Sequence, residues 1–173
     1  DPLIKQLGNY LLNALQGDFG PSYKYPGRTV SELIASGLPI TAELAFYSVL
    51  FALLLGILSG IIASLNPGKF LDHFPMSVSM IGICVPSIIL GPILILIFGI
   101  WLEILPVSGW GEFSGDKILP TITLGSAYAA IFARLTRGGM LEILAQDFIR
   151  TARAKGLNET RVVFFHALRG GIM

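Results

Sequence analysis

Gln146-Asp147-Phe148-Ile149-Arg150-Thr151-Ala152-Arg153-Ala154-Lys155-Gly156-Leu157-Asn158-Glu159-Thr160-Arg161, continued by Val162-Val163-Phe164-Phe165-His166-Ala167-Leu168-Arg169, is a short, basic and amphipathic segment around which the rest of the chain is organised. Asp147 complements a helix N-terminus, and Phe148, Ile149 and Ala152 fall on one side at helical spacing. Gly156 stands where a helix commonly ends on a left-handed residue. Asn158 then caps a second helix, which starts at once. Two short helices joined at a glycine form a compact knob, basic and too polar to cross a bilayer.

Outward from the knob the composition changes. Of 173 residues, 53% are hydrophobic and only 13% charged. Mean hydropathy is +0.72. Soluble domains carry about 25% charged residues, so the bilayer is the expected solvent and the fold class is an all-α membrane protein. The net charge of +1 gives no reason to expect nucleic acid as a partner. Cys84 is the only cysteine, which excludes an internal disulfide and a cysteine-rich metal site.

Apolar residues Leu3, Ile4, Leu7, Tyr10, Leu11 and Leu15 lie on one face of a helix over Pro2–Leu15. Gly17, Gly20, Pro21, Pro26 and Gly27 make 16–28 a loop. Thr29 or Ser31 opens a second short helix, Val30–Ser36. The first membrane span is expected from about 40 to 65, because 44–68 carries no charge and about 20 apolar residues suffice to cross. Within it Gly56 and Gly60 are spaced to admit a neighbouring helix. Asn66-Pro67-Gly68 ends this span. Gly68-Lys69 imitates the tail of a phosphate-binding loop, but Ala63 and Phe70 stand where that loop requires Gly and Ser or Thr.

A second span is expected at about 75–101, inside the uncharged stretch Phe74–Leu102. Pro86 and Pro92 each remove a helical hydrogen bond there and crowd the carbonyls of Gly82 and Ile88, which predicts a kinked or broken helix and a possible hinge. Glu103–Lys117 is a turn-rich loop, with Trp101 and Trp110 suited to the membrane interface. The third span occupies about 118–145. Gly125, Ser126, Ala127, Ala129 and Ala130 give it a small-sided face for burial among helices. Thr121, Thr123, Ser126 and Tyr128 suit either helix packing or a polar path, and the sequence leaves the substrate path unassigned. Arg134 and Arg137, one turn apart, read as interface anchors.

Positive charge sets the orientation. Arg134–Arg169 holds seven Lys or Arg and three acids, whereas Glu103–Lys117 holds one Lys and three acids. The knob is therefore expected in the cytoplasm, with Lys24 and the N-terminal segment outside. His73 and His166 have no metal-ligand spacing, and neither a nucleophile elbow nor a nucleotide site is present. With no charge in the middle of the first two spans, an ion-coupled carrier is disfavoured. Four basic residues, Arg150, Arg153, Lys155 and Arg161, suit anionic lipid, topology or a partner protein.

The knob resembles the cytoplasmic coupling loop of binding-protein-dependent ABC importer permeases, whose general pattern is Glu-Ala-Ala, three residues, Gly, nine residues, Ile-x-Leu-Pro. Ala152, Gly156 and Leu168 match it. Arg150, Thr151, His166 and Arg169 depart from it. Arg-Thr-Ala-Arg-Ala-Lys-Gly-Leu and His-Ala-Leu-Arg are instead similar to the peptide-importer branch, as is Gly17-Asp18-Phe19-Gly20-Pro21-Ser22-Tyr23. The resemblance covers nearly the whole chain and implies a type I importer permease fold. It divides the chain into an extracytoplasmic segment 1–39, three spans within 40–145, coupling helices 146–166 and the start of a further transmembrane helix at 167–173. It also implies a helix before Asp1 and more beyond Met173. Coupling to the ATPase is implied for Arg150, Thr151, Ala152, Arg153, Ala154, Lys155, Gly156 and Leu157. The implied partners are a second homologous permease, two ATP-binding subunits and an extracytoplasmic peptide-binding protein, besides membrane lipid. No cofactor or catalysis is expected on this chain, ATP and magnesium belonging to the partners. The competing class is a helical membrane protein without ATPase coupling, either an ion-coupled carrier or an assembly subunit.

Overall fold

The computed structural model describes residues 2–113 and 115–171, and among them the regular elements are all helical. Ile172 and Met173, where the next span was expected to continue, lie outside the described residues. Two compact units divide at Glu43/Leu44.

In the N-terminal unit, α1 (Leu3–Leu15) buries no residue. Its apolar side is open, with Leu3, Ile4 and Leu15 all more than four-fifths exposed. The loop behind it turns at Gly17, Gly20 and Gly27, all with positive φ. Ser31 ties this loop, its Oγ accepting from Phe19 N at 3.1 Å and donating to Gly17 O at 2.6 Å. Thr29 is the helix opener. Its Oγ1 accepts from Glu32 N and Glu32 Oε2 accepts from Thr29 N, both at 3.2 Å, a reciprocal capping box.

That box starts α2, which runs unbroken over Val30–Leu65. The expected separation of a helix at Val30–Ser36 from a span beginning near residue 40 is therefore corrected. Pro39 removes one hydrogen bond, yet the helix continues through it. Beside the gap, Thr41 Oγ1 donates to Gly37 O at 3.0 Å and Ser36 Oγ to Leu33 O at 3.0 Å. One lost bond in 36 residues does not break a helix that is apolar over most of its length.

The remaining helices belong to the second unit. α3 (Phe70–Cys84) starts four residues before the expected uncharged stretch and carries Asp72 in its first turn. Val85 leaves helical geometry (φ −96°, ψ 114°), as the residue before a proline tends to, and Pro86 precedes α4 (Ser87–Leu94). α4 runs on as a π-helix over Ile95–Trp101. The two arms, Phe70–Cys84 and Ser87–Trp101, meet at 109°. The break expected within the second span, 75–101, is present at Pro86 as a sharp bend between two arms. Pro92 lies inside the second arm without bending it comparably, three residues before the wider π-helical winding. By length and composition α2 and α5 (Ile118–Leu144) are able to cross a membrane, and the bent pair makes a third if it counts as one span.

α5 is central in this unit, packing against α3, α4 and the C-terminal α8 (Leu168–Gly171). The glycine pair on α2 serves that packing. A Cβ at Gly56 would lie 2.7 Å from Ala129 O, and one at Gly60 2.6 Å from Thr136 Cβ. α3 approaches at Gly82, where a Cβ would lie 2.5 Å from Ser126 O. Small residues on both sides bring backbones together, which is how apolar helices associate in lipid.

Candidate functional site: the glycine-linked knob

The knob is built as its local sequence dictates. α6 (Asp147–Ala154) follows Gln146, and Thr151 Oγ1 donates to Asp147 O at 3.0 Å. At its end Gly156 N donates to Arg153 O at 2.9 Å and Leu157 N to Ala152 O at 3.3 Å. Gly156 between them has φ +80°. This is the left-handed stop that the glycine predicts. Asn158 caps the next helix, α7 (Glu159–Arg161), its Oδ1 accepting from Thr160 N at 3.1 Å. A π-helical stretch, Val162–Ala167, joins α7 to α8.

The inner side of the knob is apolar. Ile149, Ala152, Val162, Val163 and Ala167 are buried together with Ile61 of α2 and Met140 of α5. Leu157 and Leu168 pack against this cluster. Ala152, Gly156, Leu157 and Leu168, taken from the resemblance, are thus brought together, three as packing residues and one as the turn. Phe148 is corrected: it is half exposed, about 100° round the helix from Ile149, so the buried stripe is Ile149 and Ala152.

The outer side is basic and aromatic. Arg150, Thr151, Ala154 and Lys155 are exposed. The Arg150 side chain is 76% exposed and reaches Asp147 Oδ1 only at 3.5 Å. Arg153 is differently employed, its Nε donating to Glu159 Oε1 at 2.7 Å and its Nη2 to Oε2 at 3.3 Å. This fork straps α6 to α7 across the glycine turn, and Glu159 raises the Arg153 pKa above its ordinary value. Phe164 and Phe165, given no role in the sequence reading, are exposed. With Asn158, Thr160 and Arg161 they line a pocket of about 390 Å³. Their signal was present, two aromatics following a capped turn, but apolar content alone suggests burial.

Arg134, expected as an interface anchor, is exposed. Arg137, also expected as an interface anchor, has an acidic partner on α3. Its Nε donates to Asp72 Oδ1 at 2.5 Å and its Nη2 to Asp72 Oδ2 at 2.7 Å. Asp72 is only 2% exposed and also accepts from Gly68 N at 2.9 Å. A buried carboxylate is tolerable when paired in this bidentate way with its oxygens satisfied.

The hydroxyls considered for a polar path serve the backbone in part. Thr123 Oγ1 donates to Leu119 O at 2.7 Å and Ser126 Oγ to Thr123 O at 3.2 Å. Among the described residues no group of three or more His, Cys, Asp or Glu could hold a metal ion.

The family comparison covers the knob together with most of the membrane-grade helices before it. Residues 52–172 fit the family described as binding-protein-dependent transport system inner membrane component. The chain belongs to this family. It is 45% identical to an oligopeptide transport system permease protein of Haemophilus influenzae, over 100% of this chain and 57% of that protein. It is 40% identical to a dipeptide transport system permease protein of Bacillus subtilis, over 100% of this chain and 56% of the relative. A glutathione transport system permease protein of Escherichia coli is 39% identical over 99% of this chain and 56% of its own length. The chain thus spans a little over half the length of these curated relatives. As an inner membrane component with apolar helices, it is a multi-pass membrane protein.

Proposed function

We propose that this chain is part of the transmembrane permease subunit of an ABC importer that moves oligopeptides, or dipeptides, into the cytoplasm. The single observation that carries the reading is the knob, an exposed basic and aromatic face held by Gly156 on a core shared with α2 and α5. Similarity over the whole chain to oligopeptide and dipeptide permeases supports the substrate class. On this reading the subunit is non-catalytic. Two ATP-binding partner subunits bind ATP and magnesium and grip the outer face of the knob. A second homologous permease completes the path, and an extracytoplasmic peptide-binding protein delivers cargo.

Force applied at Arg150, Lys155 and the exposed aromatics acts on Ile149 and Ala152, which lie against Ile61 and Met140. Because a packed core is bistable rather than compliant, displacing α6 repositions the ends of α2 and α5 together. The break at Pro86 supplies the place where the bent pair changes its angle. Uptake by the complete complex in proteoliposomes, with peptides of graded length, tests the reading. ATP-dependent accumulation of peptides is expected. Uptake driven by an ion gradient without ATP would replace it with the carrier reading.

A further inference from the structure

The turn of α5 from Thr136 to Met140 is a junction. Thr136 faces Gly60 of α2, and Met140 Sδ lies 3.7 Å from Ser64 Oγ of the same helix. Gly139 faces Gly171 of α8 so closely that a Cβ there would overlap its carbonyl. Met140 itself belongs to the core under the knob. Arg137 adds one more connection, its fork closing on Asp72 in the first turn of α3. Asp72 is fixed in turn by Gly68 N, in the Asn66-Pro67-Gly68 turn that joins α2 to α3. That turn is itself pinned, Asn66 Nδ2 donating to Ile62 O at 3.0 Å and Lys69 N to Asn66 O at 3.1 Å.

The far end of α3 is the 109° break. α3 also meets α5 where Gly82 lies against Ser126, a close backbone approach made by van der Waals contact. A bidentate guanidinium–carboxylate pair is different, because it holds distance and orientation together. We propose that the Asp72–Arg137 ion pair is the positioning link that delivers displacement of the knob to α3, and through α3 to the break at Pro86. This rests on the importer reading above. The two residues act through the helices they join and touch no substrate.

The test uses the complete importer, permeases with ATP-binding subunits and binding protein, in proteoliposomes. Three quantities are read on each variant: assembled complex, ATP hydrolysed per peptide imported, and stimulation of ATP hydrolysis by loaded binding protein. Asp72→Asn keeps size and polarity but removes the charge. It should assemble and raise the ATP spent per peptide by roughly 2- to 30-fold, the range over which residues on a coupling route act. Arg137→Lys keeps charge but not the fork, and should give a smaller shift in the same direction. The exchange Asp72→Arg with Arg137→Asp should recover part of the loss left by either single charge reversal. Uptake that falls only in proportion to assembled complex, with ATP per peptide unchanged, would overturn the proposal and leave the pair a packing feature. Should Asp72→Asn fail to assemble, Arg137→Lys decides in its place, and an unchanged ratio there overturns the link equally. Absence of ATP-dependent uptake by the unsubstituted complex refutes the importer reading itself, a separate outcome from a normal unsubstituted complex with unaffected variants.

Discussion

Gly156 is the residue on which the knob turns, and its requirement is conformational alone. At φ +80° a side chain is strained, yet a Cβ there would have nothing within 4 Å. A left-handed residue costs about 1–2 kcal/mol for most side chains and less for Asn. Gly156→Val should therefore leave the membrane helices inserted but reduce retention of the ATP-binding subunits on purified permease, and uptake with it. Gly156→Asn should stay close to the unsubstituted protein. Normal retention and uptake in Gly156→Val would remove the knob from the coupling role. Arg150, exposed and weakly paired, is the basic residue best placed to meet a partner, so Arg150→Glu should lower retention. Arg153→Ala acts differently, loosening the exposed fork to Glu159, a contact worth about 1 kcal/mol or less. These features were legible because they are local: the glycine stop and the Asn158 cap are each set by residues within a few positions. Asp72–Arg137 was not legible, because the partners are 65 positions apart. The clue was there, an arginine inside an apolar helix and one acid in Phe70-Leu71-Asp72-His73-Phe74, but nothing in either neighbourhood names the other. Reading the second span from Phe74 placed Asp72 just outside the segment in which a charge would have demanded a partner.

At the scale of helices, spacing reports faces well and continuity poorly. The Gly56–Gly60 spacing indicated close approach, and α5 supplies the surface it meets. The expected consequence is that Gly60→Leu, whose Cβ would lie 2.6 Å from Thr136 Cβ, forces the two helices apart. Overpacking of a tight contact costs about 1–3 kcal/mol, visible as a lowered unfolding temperature in detergent. Gly8, whose added Cβ meets nothing, is the control: Gly8→Ala should leave that temperature unchanged. Prolines were the ambiguous signal. Pro39 passes inside α2, Pro75 inside α3 and Pro92 inside α4, whereas Pro86 coincides with the break between α3 and α4. What separates them is the preceding residue: Val85 takes the extended geometry that a following proline favours, whereas Leu38 before Pro39 and Gly91 before Pro92 stay helical. If the bend moves during transport, Pro86→Ala, which restores a backbone donor, should alter transport-coupled ATP turnover with assembly intact. Unchanged turnover and uptake would make the bend a fixed feature of packing.

At the scale of the membrane-embedded unit, α5 carries the orientation. It separates the loop 103–117 from the knob, and its 27 residues rise about 40 Å, enough to cross the hydrocarbon region. Three acids against one lysine lie before it, and most of the basic residues of Arg134–Arg169 lie at or beyond its far end. Such asymmetry retains the basic end in the cytoplasm. The loop is organised for the opposite surface. Asp116 Oδ2 accepts from Gly111 N at 2.5 Å and Glu112 N at 3.1 Å, while Lys117 Nζ sits 5.5 Å from the Trp110 ring, an aromatic placement suited to an interface. Single cysteines at Glu112 and Lys155, both exposed, should therefore react with an impermeant thiol reagent from opposite faces of the membrane. Cys84 is itself exposed and must first become Ser, or it would contribute a third signal. In right-side-out vesicles Glu112→Cys should label at once and Lys155→Cys only after permeabilisation, with the order reversed in inverted vesicles. Labelling of both positions from one face would mean that α5 does not cross. If that face is the extracytoplasmic one, the knob sits where no cytoplasmic ATPase reaches it, and its coupling role falls with the topology.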